Sequence, residues 1–192
     1  MDTNFYKDPD IKFDIAKLQS ALKEVDSRVA RQSPLGERDI NAICLTQIPG
    51  DANSITGGNV RGLFWTKPDS TYEEVQREEP IDESKYSEFV KLFEDTYFKE
   101  VYDELTKKYT LGRIRLLWKL PRTTLSWHRD PEPRLHIPIV TNYGARMCID
   151  TEVRHMPADG SVWITDNTKY HNAFNGGEED RVHLVATVIN QQ

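Results

Sequence analysis

Side chains able to do chemistry are concentrated in one short stretch of this 192-residue chain. The segment SWHRDPEPRLHIPI, residues 126–139, holds two histidines, two arginines and two carboxylates before it becomes apolar. His128 and Asp130 are separated by one residue at the mouth of a predicted strand, so an imidazole and a carboxylate can converge on one ion. The pattern permits three interpretations: a metal site, a kinase-like catalytic loop, or a solvated turn before a strand.

The residues around HRD contradict the kinase-like interpretation. In protein kinases the HRD catalytic loop has asparagine five residues after the aspartate, whereas this chain has Leu135 at that position. The sequence has no Gly-rich phosphate loop upstream and no DFG downstream, and it is too short for a kinase.

The metal interpretation needs a third ligand from a distant strand. His171 in KYHNAFNGG is the candidate, because it follows the predicted strand SVWITD. Two histidines and one carboxylate on one face of an octahedral ion leave three open positions, as in non-haem Fe(II) oxygenases. His128 and Asp130 alone are a weak pattern, but a distal histidine about forty residues later and an arginine ten residues beyond it make the pattern stronger.

That arginine is Arg181, which opens the predicted strand RVHLVATVI. Strand alternation places on one face Arg181, His183, Val185 and Thr187. An arginine inside a barrel is costly unless it meets an anion, and a dicarboxylate cosubstrate would supply one. By the same alternation, Arg134 and His136 share a face toward the inferred metal. The alternative places both arginines on the surface and His136 in the core.

Composition excludes several classes of function. Hydrophobic residues make up 38% and charged residues 29%, and the net charge is −6 with no basic stripe, so we expect no nucleic-acid or membrane partner. The N-terminus MDTNFYKDPD does not resemble a signal peptide, and no apolar run is long enough to span a membrane. Cys44 and Cys148 form no zinc-type pair and are expected to be reduced thiols of a cytoplasmic protein.

The order of predicted elements indicates an α+β fold. Apolar spacing predicts helices over residues 13–30 and 83–109, and the polar stretch 67–84 between them reads as an exposed loop. After Gly112, short β-rich runs alternate with turn residues, which is typical of an antiparallel sandwich or barrel. We expect a single domain, residues 1–192, in which helices and strands of residues 1–111 brace a jelly-roll core over residues 112–190.

The region from GRIRLLWKLPRTTLSWHRD to YHNAFNGGEEDRVHLVATV, roughly residues 112–188, resembles the aspartyl/asparaginyl β-hydroxylase family of Fe(II)/2-oxoglutarate oxygenases. The resemblance implies a double-stranded β-helix, or jelly roll, that carries iron. It also implies the following roles: His128, Asp130 and His171 as metal ligands and catalytic residues; Arg181 as the anchor of the distal carboxylate of 2-oxoglutarate; Arg134 and His136 at the cosubstrate end of the site; and Asp166 as a support for the ligands.

Two departures from the family pattern matter. Mammalian-type aspartyl hydroxylases have glycine where this chain has Asp130, so the complete triad looks closer to the proline-hydroxylase branch. The hydroxyl group that helps to hold the distal carboxylate in the family falls near Leu117, and Thr187 is a candidate replacement.

The resemblance implies a hydroxylase that uses Fe(II), 2-oxoglutarate and O₂ and releases succinate and CO₂. Its substrate would be an amino acid or a peptidyl Asp, Asn or Pro side chain. The alternatives are a cupin-like zinc or manganese enzyme, against which Arg181 argues, and a non-catalytic jelly-roll binding module. Arg129 is expected to be a solvated charge rather than a substrate contact.

Overall fold

The computed structural model describes residues 3–32, 40–55, 63–67, 69–78 and 81–191. These residues form mostly β-structure with two α-helices, α1 (Ile15–Arg28) and α2 (Tyr97–Leu105). The strands are, in chain order, β1 (Phe5–Lys12), β2 (Ile40–Cys44), β3 (Thr46–Gln47), β4 (Phe64–Thr66), β5 (Glu74–Gln76), β6 (Glu88–Phe89), β7 (Tyr109–Lys119), β8 (Thr123–Thr124), β9 (His128–Arg129), β10 (Arg134–Val140), β11 (Ala145–Ile149), β12 (Glu152–Arg154), β13 (Ser161–Thr165), β14 (His171–Asn175) and β15 (Arg181–Gln191).

Two antiparallel sheets contain most of these strands. The larger sheet, which contains more residues, has six strands in the order β1-β13-β10-β15-β7-β2. The smaller sheet has seven mostly shorter strands in the order β12-β11-β14-β9-β4-β5, with β8 beside β14. The short strands β3 and β6 pair separately. Neighbours that are distant in sequence, such as β10 and β15, bring the two halves of the polar pattern into one sheet.

One face of the larger sheet packs on the helices. Alternate residues of β10 and β15 enter the main apolar core together with helical residues such as Leu18 and Val101. The core residues from these two strands are Leu135, Ile137, Ile139, Val182, Leu184, Ala186 and Val188. The opposite face of the larger sheet is turned to the smaller sheet, where Trp163 meets Met147 and Ile149 in a second apolar cluster. Period-two alternation therefore directs the polar residues of both strands into the space between the sheets.

Helix α1 agrees with the predicted helix at residues 13–30. Asp14 caps its N-terminus by accepting hydrogen bonds from the backbone N–H groups of Ala16 and Lys17. The side chains buried along one face are Leu18, Ala21, Leu22 and Val25. Neither helix of the described chain is both long and apolar enough to cross a membrane.

The predicted helix at residues 83–109 is wrong over its first half. Only α2 is helical there, and the residues before it form two 3₁₀ turns, Glu83–Lys85 and Lys91–Phe93, on either side of β6. The backbone N–H of Val90 donates to the carbonyl of Leu45. Strand pairing, rather than a helix, therefore provides backbone hydrogen bonds for this segment. The polar stretch 67–84 is also not a plain loop, because it contains β5 and the buried side chain of Glu83. Positions 68, 79 and 80 lie outside the described residues.

A buried carboxylate ties β1 to β7. The Tyr109 hydroxyl donates to Asp8, and the Lys108 ammonium lies 2.9 Å from the same carboxylate. Burial acts to raise the pKa of Asp8, but the hydrogen bonds from Tyr109 and Lys108 outweigh it and hold this pKa below its usual value.

We expect Tyr109→Phe to lower the free energy of unfolding by about 1–3 kcal/mol at neutral pH, because the Asp8 carboxylate loses a buried donor. A carboxylate with a depressed folded-state pKa stabilises the fold above its unfolded value and loses that contribution as the pH falls through the folded one. The difference between wild type and variant should therefore shrink at pH 3. Urea unfolding at pH 7 and pH 3 measures both quantities, and a difference independent of pH would contradict the assigned role of Asp8.

Candidate metal centre

His128 and His171 are cross-strand partners in β9 and β14, and their ring centroids lie 4.2 Å apart. Nδ1 of His128 lies 2.6 Å from the carbonyl of Ser126, and Nδ1 of His171 lies 3.0 Å from the carbonyl of Lys169. Each Nδ1–H therefore donates to the backbone, which leaves both Nε2 atoms as acceptors. Such backbone bonds fix the tautomer that a metal-binding histidine needs.

Asp130 completes the cluster. Its backbone N–H donates to the carbonyl of Asn167 at 2.8 Å, and its carboxylate accepts a hydrogen bond from Nε of Arg134 at 3.0 Å. One ligand atom from each of His128, Asp130 and His171 lies within 4.8 Å of the others, and all three side chains are buried. Two imidazoles and one carboxylate in this arrangement fit a single divalent transition metal.

The protonation states of the cluster also suit a metal. Burial acts to raise the pKa of Asp130, but the nearby positive charge, chiefly that of Arg134, outweighs it, so this pKa lies below its usual value. Burial, with a smaller effect of His128, lowers the pKa of His171 to about 4. At neutral pH His171 is thus a neutral imidazole beside an ionised Asp130, and a metal can bind both without first displacing a proton.

Asn167 lies inside this cluster, although no sequence pattern pointed to it. Its side-chain amide is 2.8 Å from Nε2 of His171 and 3.5 Å from the Asp130 carboxylate, and its carbonyl oxygen accepts from the Thr165 hydroxyl at 2.6 Å. The amide N–H therefore points at the lone pair that a metal would use. Only the turn between β13 and β14 places Asn167 here, so no motif could have indicated it.

We expect Asn167→Ala to destabilise the metal-free protein by about 1–3 kcal/mol, because Nε2 of His171 becomes a buried acceptor without a donor. A divalent metal at Nε2 replaces the lost hydrogen bond, so saturating Mn(II) should raise the melting temperature of the variant more than that of wild type. Thermal unfolding with and without Mn(II) tests this. An equal metal-induced shift in the two proteins would contradict it.

Arg134 lies between the cluster and a buried acidic residue. Its guanidinium contacts Asp130 and also Glu83, at 2.8 Å, and it donates to the hydroxyl of Thr187. Burial acts to raise the pKa of Glu83, but Arg134, Arg115 and Arg113 outweigh it and lower this pKa. Arg134 therefore holds one oxygen of Asp130 in place and belongs to the metal end of the site.

Arg181 and His136 face the same space between the sheets, farther from the metal cluster than Arg134. Within the described chain, no carboxylate lies within ion-pair distance of Arg181. The one hydrogen bond of its side chain there joins the guanidinium to Nδ1 of His183 at 2.8 Å. Neither ring nitrogen of buried His136 has a hydrogen-bond partner there. Burial lowers the pKa of Arg181 to about 9. The pKa of His136 lies well below its usual value, mainly because the ring is buried and secondly because Arg181 is a nearby positive charge. These groups suit an anionic ligand with acceptor oxygens.

The structure does not support Thr187 as the replacement for the missing hydroxyl. Thr187 and Arg181 are six residues apart on β15, or about 20 Å at the usual rise of a strand. The Thr187 side chain contacts Arg134 and Glu83 instead. Leu117 lies opposite His183 and offers no polar atom.

Two other polar predictions are revised or refined. Arg129 is partly exposed to solvent, as expected, but it is also paired. It forms a two-point ion pair with Glu74, at 2.7 and 2.9 Å, and its guanidinium lies over the ring of Phe64. This pair holds the β4–β5 hairpin against β9. Asp166 accepts a hydrogen bond from Thr168 at 2.5 Å and stabilises the turn before His171 without touching a ligand of the cluster. Both cysteines are free, as expected.

Comparisons with known proteins agree with the family resemblance. A family model for aspartyl/asparaginyl beta-hydroxylase matches residues 81–191, more than half of the chain. No curated protein matches significantly. An oxidoreductase of the 2OG-Fe(II) oxygenase family from Burkholderia pseudomallei is 16% identical, with a TM-score of 0.52 over 96% of this chain and 84% of that one, which shows a similar fold. AviO1 from Streptomyces viridochromogenes is 14% identical, with a TM-score of 0.45 over 97% and 90% of the two chains.

Proposed function

This chain belongs to the aspartyl/asparaginyl β-hydroxylase family, and we propose that it is an Fe(II)/2-oxoglutarate-dependent dioxygenase that hydroxylates an amino acid or a peptidyl Asp, Asn or Pro side chain. The observation that carries the proposal is the buried cluster of His128, Asp130 and His171, whose ligand atoms converge within 4.8 Å. The choice between a free amino acid and a peptide, and the cytoplasmic location, stay predictions.

The proposed fold is a jelly roll in one domain. In this proposal the two sheets form a double-stranded β-helix over residues 112–190, and the helices and strands of residues 1–111 brace it. The antiparallel pairing of β10 with both β13 and β15, and of β14 with both β9 and β11, supports this arrangement.

In the proposed site, His128, Asp130 and His171 hold Fe(II), and Arg181 binds the distal carboxylate of 2-oxoglutarate. When bound, Fe(II) and 2-oxoglutarate supply the O₂-dependent oxidation that yields succinate and CO₂ together with the hydroxylated product. The chain supplies position and polarity. Arg134 fixes the orientation of Asp130 through the hydrogen bond from its Nε, and His136 provides a neutral polar ring between the metal end and Arg181.

Arg181 favours this function over a hydrolytic zinc or manganese enzyme that uses the same three ligands. Such an enzyme requires ligands and an open position, but it does not require a buried cation at the far end of the sheet. A binding module without catalysis likewise gives no reason to bury Arg181 away from any described carboxylate. An arginine in that position is suited to a ligand that carries a second anionic group.

Anaerobic titration of the Fe(II)-loaded protein with 2-oxoglutarate tests the proposal. We expect a weak visible charge-transfer band that saturates with 2-oxoglutarate, and succinate when the sample is exposed to air. His171→Ala, treated identically, is the matched control and should give neither signal. Absence of the band in wild type, with tight zinc or manganese binding instead, would contradict the proposal and favour the hydrolytic enzyme.

A further inference from the structure

The proposed chemistry gives no role to the carboxylate of Glu83, whose side chain is only 11% exposed. One of its oxygens, Oε2, lies 2.8 Å from Nη1 of Arg134. The other oxygen, Oε1, faces β7 and lies 3.4 Å from the guanidinium of Arg115 and 3.8 Å from that of Arg113. Glu83 therefore joins the cations of β7 to the arginine that contacts Asp130.

Thr187 completes the contact between Glu83 and Arg134. It lies directly opposite Arg134 where β15 pairs with β10. Its hydroxyl accepts a hydrogen bond from Nη1 of Arg134 and donates one to Oε2 of Glu83. A guanidinium that is held at Nη1 by a carboxylate and a hydroxyl has little freedom to rotate. Its Nε, which donates to Oδ2 of Asp130 at 3.0 Å, is thereby directed at the metal cluster.

The backbone of the turn that carries Glu83 lies directly against β7. A Cβ atom at Gly112 would lie 2.4 Å from the carbonyl oxygen of Glu83 and 3.2 Å from Cα of Ser84, so this close approach requires glycine in the strand. Asp82 caps the turn by accepting a hydrogen bond from the backbone N–H of Ser84. The turn is thus fixed at a position from which the Glu83 carboxylate reaches Arg134.

A contribution to stability gives only a weak reason to bury this network. Apolar residues of similar volume often stabilise a fold as well as a buried ion pair does. Orientation gives a stronger reason, because groups that fix the direction of a metal ligand contribute to metal affinity. Arg134 fixes one oxygen of Asp130, and Glu83 together with Thr187 fixes Arg134.

We infer that Glu83 is a positioning residue of the metal centre, which acts through Arg134 to orient the carboxylate of Asp130. This inference rests on the proposed function, because it assigns one more residue to the same site. It gives the segment that precedes the proposed jelly-roll core a role in metal binding as well as in support of the fold.

Titration of the metal-free protein with Co(II), followed by visible absorption, tests the inference without turnover. We expect Glu83→Gln to weaken Co(II) binding by about 10-fold, the lower end of what the loss of a partner of a metal ligand costs. The absorption bands of the saturated site should also shift, because they report the geometry of the ligands. A general loss of stability would leave the bands of the saturated site unchanged.

Two comparisons separate position from charge. In a protein that already carries Arg134→Met, Glu83→Gln should change Co(II) affinity little, because a double-mutant cycle isolates what Glu83 does through Arg134. Glu132→Gln is the matched control. Glu132 is 32% exposed and lies 3.7 Å from the same Nη1 of Arg134, so its loss removes an equal charge without the buried contact and should change neither affinity nor bands.

The possible outcomes distinguish the inference from the proposed function. If wild type binds no Co(II), the proposed function itself fails. If wild type binds Co(II) and Glu83→Gln has the same affinity and bands, the inference is overturned while the proposed function stands. An equal loss in Glu132→Gln, or an undiminished loss in the Arg134→Met protein, would show that Glu83 acts through its charge alone and would also overturn the inference.

A second variant keeps the test decisive if Glu83→Gln does not fold, which circular dichroism and the melting temperature establish. Thr187→Val retains both charges and nearly the same volume but removes the hydroxyl between Glu83 and Arg134. We expect it to shift the Co(II) bands in the saturated protein. Bands identical to those of wild type would overturn the inference.

Discussion

His171→Ala is expected to abolish hydroxylation and to weaken Fe(II) binding by more than about 100-fold, the upper end of what the loss of an outer-shell partner costs a metal site. The imidazole of His171 binds the metal directly in the proposed site. Its Nδ1–H donates to the carbonyl of Lys169, so Nε2 is the ring atom left to bind the ion. Alanine provides no replacement donor. His128→Ala should behave in the same way, because His128 is fixed by the equivalent bond to Ser126.

Asp130→Ala should likewise abolish turnover, because it removes the carboxylate ligand of the proposed site. In this chain Asp130 also balances the charge of Arg134, which would retain Glu83 as its nearest anion. The variant should therefore lose stability as well as activity.

Metal affinity from competition with a chelator, and succinate formation under iron-replete conditions, measure both effects of these substitutions. His155→Ala is the control, because His155 stacks on Tyr143 and bonds to the carbonyl of Ala145 outside the cluster. Normal activity in any of the three ligand variants would show that the triad is assigned wrongly.

The sequence predicted side-chain orientation best in strands whose residues alternate between a buried apolar face and a polar face. A period of two decides which residues of β10 and β15 share a face, so Arg134 and His136 could be grouped from the sequence, as could Arg181 and His183. The structure places both pairs on the face that is turned away from the helical core. His171 was selected as the third ligand from its position after the predicted strand SVWITD, and the resemblance to a family supported that choice.

Contacts that depend on pairing between distant segments could not be predicted. Glu83 seemed part of an exposed acidic loop, yet its carboxylate lies 2.8 Å from the Arg134 guanidinium. A 3₁₀ turn brings it beside β7, where it also contacts Arg115. Arg129 was assigned to solvent because its partner, Glu74, belongs to a hairpin that no local pattern indicated. Until the register of the strands is known, a charged residue that will be paired cannot be distinguished from one that will be solvated.

Residue types that share a face of a strand do not show which of them lie close enough to bind the same group. Thr187 and Arg181 share a face of β15, which made Thr187 a reasonable replacement for the missing hydroxyl. Their separation along the strand places Thr187 at the metal end and Arg181 at the far end.

Arg181→Met is expected to weaken 2-oxoglutarate binding by at least about 30-fold, in line with the cost of truncating one partner of a buried charge pair. The apparent KM for 2-oxoglutarate should rise much more than kcat falls, because the distal carboxylate is bound equally in the ground state and the transition state. Methionine retains most of the side-chain volume, so the cavity changes little.

The same substitution should stabilise the protein in the absence of cosubstrate. Burial lowers the pKa of Arg181 to about 9, well below its usual value. At neutral pH the folded state therefore buries a charge that water solvates in the unfolded state. Because the folded-state pKa is the lower one, this cost is complete below about pH 9 and declines as the pH rises from there toward the unfolded-state pKa. Replacing the cation should therefore raise the melting temperature of the cosubstrate-free protein.

Opposite signs for stability and binding distinguish an anion anchor from a residue that merely holds the fold together. A structural arginine would lower the melting temperature when it is replaced, and kcat would fall with little change in KM. Thermal unfolding with and without 2-oxoglutarate, under anaerobic conditions, measures both signs in one experiment. Arg122→Met is the control, because Arg122 pairs with Glu178 on the surface and its loss should change neither quantity. A fall in both stability and kcat at unchanged KM would show that Arg181 does not bind the cosubstrate.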